Sequence, residues 1–144
     1  MSLTTTFQDA RAGIITTIVE STSSLSQGSA DGWRLVEQVE DVPSLGLRSF
    51  FVDLGPPIPT GDIYGGCELH ECPLDVFVSY GELPPAEAQV MVAGDAIDLR
   101  RSLQGAGIAG VPRFDYEGFE ESSQGSGRSW GSHSFTVSLF LPIP

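Results

Sequence analysis

Between Ser134 and Leu141 the chain alternates with a period of two: Phe135, Val137, Leu139 and Leu141 on one side, Ser134, Thr136, Ser138 and Phe140 on the other. That alternation marks a half-buried β-strand, and Pro142 and Pro144 end it because proline brings no amide donor to a ladder. A strand with one apolar side is not stable alone. It needs paired neighbours and a layer that covers the apolar side, so the rest of the chain has to supply both.

The neighbours are legible. Leu35 to Glu40 and Arg48 to Leu54 (RSFFVDL) read as short strands around a turn at Pro43 to Gly46. Leu69 to Tyr80 reads as a strand bent or broken at Pro73, with Val76, Val78 and Tyr80 on one side and Phe77 on the other. Residues 111–120 (VPRFDYEGFE) set Phe114 and Tyr116 against Arg113, Asp115 and Glu117. Residues 55–66, rich in proline and glycine, are expected to be a loop, and the Gly/Ser-rich stretch 120–132 the tip of a long β-hairpin. A polar connection is expected at 21–30, and no internal repeat is present.

The covering layer comes from two helical patterns. In residues 4–22, Thr6 is placed as an N-cap with Asp9 three residues on, and Phe7, Ala10, Ile14 and Ile18 recur at helical spacing. The second pattern opens at Pro84 and Pro85, where proline is tolerated, and runs to Gln104. Two neighbouring stripes, one of Ala86, Val90, Ala93, Ile97 and Arg100, the other of Val92, Ala96, Leu99 and Leu103, make a wide apolar face that is expected to pack on a sheet. Gly105 stands where a helix commonly stops. The expected fold class is α+β: one domain over 1–144, with a mostly antiparallel or mixed sheet of about five strands and both helices on one face.

Charge narrows the function. Nineteen acids oppose seven arginines, there is no lysine, and the formal net charge is −12. A chain so poor in cations cannot neutralise a run of phosphates, which argues against gripping DNA or RNA and against anionic membranes. No apolar stretch approaches the roughly 18–20 residues of a membrane span. The opening MSLTTTFQDA lacks the basic and apolar regions of a secretory signal, so a cytoplasm is the expected place of synthesis.

Chemical motifs are weak. Cys67, His70 and Cys72, with His133 remote, form the one grouping that resembles a metal site. On a strand, however, Cys67 and Cys72 would face opposite ways, which favours buried structural thiols. There is no GxSxG elbow for a serine nucleophile. The glycine-rich GAGIAG at 105–110 follows a helix and precedes a strand, the reverse of a dinucleotide-binding turn. Adjacent acids at Glu40–Asp41 and Glu120–Glu121 read as solvated charge. No cofactor is expected. Trp33 and Trp130 sit in polar surroundings, and Arg128 is near Trp130; tryptophan and arginine are enriched at interface hot spots.

The layout resembles that of the tail terminator, or tail completion, proteins of long-tailed bacteriophages. The likeness is carried by the helix from Phe7 to about Thr22, the strands RSFFVDL (48–54) and LDVFVSYG (74–81), the helix AEAQVMVAGDAIDLRRSL (86–103) and the closing FTVSLFLPIP (135–144). It spans nearly the whole chain and lies in order and hydrophobic spacing, so no residue role transfers by motif. The resemblance implies a non-enzymatic virion protein assembled in the host cytoplasm. It would form a homo-hexameric ring that caps the head-proximal end of the tail tube, stops its growth and docks the head. Implied partners are the tail tube protein, the head-neck stopper or connector protein and the tape measure protein, with genome DNA passing the lumen unbound and no membrane involved. In such a ring the segments 55–66 and 120–132 are the expected contacts, with Trp33, Pro57, Ile58, Tyr64, Arg128 and Trp130 as candidate interface residues. Two other classes remain open: a small protein-binding module using the Trp33/Trp130 surface, and a metal-dependent enzyme using Cys67, His70 and Cys72.

Overall fold

The computed structural model describes residues 4–20, 34–36, 49–121 and 130–143. The elements run α1 (Phe7–Glu20), β1 (Arg34–Leu35), β2 (Ser49–Leu54), β3 (Ile58–Tyr64), β4 (Cys67–Ser79), α2 (Pro85–Gln104), β5 (Arg113–Glu121) and β6 (Trp130–Pro142). All six strands belong to one sheet, ordered β1-β2-β4-β6-β5, with β3 also pairing β4. Every pairing is antiparallel except β1 with β2. The fold is thus α+β, with the helices on one face of a mixed sheet.

Long strands β4 and β6 form the spine, paired without a slip from Cys67↔Pro142 to Ser79↔Trp130. Their register puts Cys72, Leu74, Val76 and Val78 on the same side as Phe135, Val137 and Leu139. With Phe50, Val52 and Leu54 of β2 they form the buried face on which the helices pack. From α1 come Ala10, Ile14 and Ile18, none of them exposed, and from α2 Leu99 and Leu103. Burial of Ile14 and Ile18 overrides the poor helix propensity of their β-branched run. Thr6 caps α1 as expected, its Oγ1 accepting the Asp9 amide at 3.0 Å. Arg11 reaches around the β2 edge, donates to the Val52 carbonyl at 3.1 Å and lies over the Phe51 ring.

Three expectations need correction. Residues 55–66 are not a loop: Ile58–Tyr64 is a strand, paired to β4 from Ile58↔Glu71 to Tyr64↔Cys67 with an irregularity between Pro59 and Ile63. Proline is admitted because β3 lies at an edge. Gly65 and Gly66, at φ 51° and 90°, close the two-residue turn to β4 in a backbone region open to glycine. Pro73 neither breaks nor ends β4. Its carbonyl accepts the Gly55 amide at 2.7 Å, so its nitrogen faces the same side, where β2 gives way to β3 and no ladder donor is needed. Finally, Trp130, Gly131 and Ser132 belong to β6 and Glu120 and Glu121 to β5, which leaves only 122–129 between the strands. Those residues lie outside the described ones, as do the expected connection at 21–30 and the strand and turn expected over 37–46.

Helix α2 resolves its two stripes. Leu99 and Leu103 are buried, and Val92 is half-buried against the core. The packing face is therefore narrower than expected: Val90 and Ile97 face outward, 74% and 55% exposed, because the sheet covers only the Leu99 and Leu103 side of the helix. A bulge in β5 has a further consequence. Tyr116 pairs with Phe135 and Gly118 with Ser134, so one extra residue shifts the phase and puts Phe119 opposite His133 on the helix-covered side. Gly118 takes φ 133° there, a conformation that favours glycine.

Candidate functional site

The bulge builds the most distinctive site. His133 is fully buried on β6, and both of its ring nitrogens meet tyrosines: Tyr80 Oη lies 2.8 Å from Nε2 and Tyr116 Oη 3.1 Å from Nδ1. A neutral imidazole has one donor and one acceptor, so one hydroxyl donates to the ring and the other accepts from it. Phe119 packs on the imidazole with centroids 4.8 Å apart, and Tyr80 lies edge-on to Phe119. Removal from water disfavours the imidazolium and lowers the His133 pKa to about 4. Burial likewise raises the Tyr116 pKa, an effect that the nearby Arg100 guanidinium opposes from above the ring. At neutral pH the triad is therefore an uncharged polar key inside an apolar layer.

Tyr80 and Tyr116 also line a cleft of about 460 Å³ between α2 and the ends of β5 and β6. Ala88, Val92, Ala93 and Ala96 form its helical wall; Phe119 and Trp130 face them, with Gln89 and Glu121 also lining it. Small side chains on α2 leave this room, and the His133 bonds hold the two tyrosine rings that bound it. Its size and mostly apolar lining suit an apolar side chain or a small molecule. Sequence reasoning missed this group because its members are distant in the chain. The available signal was a histidine at an inward position of the most regular strand.

The opposite sheet face is covered by no described element. Register places Asp53 and Asp75 directly across from each other there, with Glu71 and Asp115 on the same side. Glu117 joins them through the Thr136 hydroxyl, which donates to its carboxylate at 2.6 Å, and Ser134 donates to Asp75 at 2.6 Å. Glu120, opposite Ser132, continues the band. Arg113 stands on this face too, its guanidinium 2.9 Å from Asp115. Apolar groups flank the acids. At one end Tyr64 meets Phe140 edge-on, near exposed Ile58; at the other, Phe77 lies beside Trp130.

The candidate interface residues do not form one patch. Ile58 and Tyr64, 62% and 56% exposed, sit on the β3–β4 hairpin with Pro57 just before it. Trp130 sits at the far end of β6, half-buried and paired with Ser79. Trp33 and Arg128 lie outside the described residues. Cys67, His70 and Cys72 do not converge. The Cys67 thiol donates to the Tyr64 carbonyl at 2.9 Å, whereas Cys72 is fully buried in the core, where burial raises its pKa to about 11. Among the described residues no three His, Cys, Asp or Glu side chains are grouped to hold a metal ion. No described helix is long and apolar enough to cross a membrane. The sequence matches no protein-family model and no curated protein.

Proposed function

We propose that this chain is a ring-forming structural protein of a phage-type virion tail, a terminator that caps the head-proximal end of the tail tube and offers a docking surface to the head-neck protein. The observation that carries the reading is the banded sheet face that no described element covers. Its carboxylates (Asp53, Glu71, Asp75, Asp115, Glu117 and Glu120) outnumber the described arginines there: Arg113, which Asp115 already holds, Arg11 over Phe51, and Arg34, which register places on the same side. Turned toward the axis of a hexamer, that face would line a channel that repels DNA and lets it slide through unbound. The exposed apolar residues of β3 and α2 support the same reading, because a subunit that joins identical copies needs surfaces to bury.

Polymerising the tail tube protein from the same genome with and without this chain tests the proposal. Expected in negative-stain images are tubes that stop growing and carry a ring at one end. Tubes of unchanged length with bare ends would overturn it. A second reading, a monomeric protein-binding module, draws on the cleft beside Trp130, which could receive an apolar anchor from a partner. It predicts binding without rings when the chain is mixed with tube and neck proteins.

A further inference from the structure

Two exposed apolar surfaces lie at opposite edges of the sheet. Along the solvent side of α2, Ala86, Val90, Ala93 and Ile97 recur at helical spacing where a surface helix ordinarily carries polar residues. This helix packs on β5, the strand at one edge. Across the sheet, every residue of β3 is exposed, including Ile58, Ile63 and Tyr64. Because β4 and β6 separate β3 from β5, the two surfaces cannot cover one another within a single chain.

Each also carries an exposed charged residue without an ion pair among the described residues, and the two are of opposite sign. Arg101, one turn beyond Ile97, makes no ion pair with a described residue, and Asp62 on β3 has no cationic partner there either. In a chain with seven cations and a net charge of −12, an exposed arginine at the end of an apolar stripe offers a contact that an acidic group on a second copy can complete. A two-fold contact through either surface alone would leave the other surface, with its exposed apolar residues, uncovered. Head-to-tail contact sets arginine against aspartate and apolar against apolar, and repeated head-to-tail contact closes into a ring when the rotation permits.

We infer that copies of this chain join heterologously, the α2 stripe of one (Val90, Ile97, Arg101) seating the β3–β4 hairpin of the next (Ile58, Tyr64, Asp62). The inference rests on the ring reading above and names the contact that builds the ring. Arg101→Glu and Asp62→Arg test it, since both positions are exposed and melts can verify that each variant is folded. Sedimentation velocity at matched concentration should show wild-type assembly and, for each variant alone, assembly weakened roughly tenfold or more by like charges. An equimolar mixture should assemble again, because the glutamate of one variant meets the arginine of the other while the second contact is native. Variants that assemble like wild type, or a mixture of folded variants that stays dispersed, would overturn the contact and leave the ring reading standing. A wild-type chain that stays monomeric even with tube protein present would overturn the ring reading, and this contact with it.

Discussion

His133 shows how one side chain ties stability to pH. An imidazole buried neutral, with its pKa lowered to about 4, must be neutral to stay folded, whereas in the unfolded chain it titrates near the ordinary value of about 6.5. Between these values the unfolded chain binds the extra proton. Stability is therefore full above about pH 6.5 and falls as pH drops toward 4, by roughly 3 kcal/mol. Urea melts of wild type from pH 7.5 to 4 check this, and His133→Phe should flatten the dependence across that window. Tyr116→Phe leaves Nδ1 without its partner and should cost about 1–3 kcal/mol at neutral pH. Gly131→Ala tests the same neighbourhood sterically: a Cβ there would lie 2.6 Å from Phe119 Cζ and run into the Glu120 carbonyl. Its melting temperature should fall by several degrees.

At the scale of elements, the two sides of α2 make opposite predictions. Leu99→Ala empties a fully buried site and should cost about 2–5 kcal/mol. Ile97→Ser, on the exposed stripe, should change stability by less than about 0.5 kcal/mol while weakening self-association. Chemical denaturation and sedimentation of the same two samples separate the effects. The element types of α1, α2, β2, β5 and β6 were legible because each has a clean period or a clear punctuation, such as Thr6 ahead of α1 or Pro142 closing β6. Which stripe of α2 turns inward was not legible, because both are apolar and only the sheet's position distinguishes them. β3 was hidden for a related reason. Local rules for proline speak against a strand, and the exemption of an edge is a property of the assembled sheet. The Tyr80–His133–Tyr116 group was hidden further still, since a single-residue bulge at Glu117 decides whether Phe119 or its neighbour meets the imidazole.

Across the whole molecule, the net charge of −12 has an address. The face that no described element covers gathers carboxylates on three strands, Asp53 of β2, Asp75 of β4 and Asp115 of β5, and between β4 and β5 lie the hydroxyls of β6 that bind Asp75 and Glu117. A face of that character should not retain DNA. In gel retardation at low salt, wild type should leave duplex DNA unshifted, and a variant carrying Asp53→Arg, Glu71→Arg and Glu120→Arg should shift it. Binding by wild type would remove the reason to place this face toward a DNA path. The stoichiometry of the purified chain decides whether it forms a ring. Native mass measurement, alone and with short tail tubes, is predicted to find a closed species of six 15.3 kDa copies. A single-copy species under both conditions would show that the chain does not form a ring.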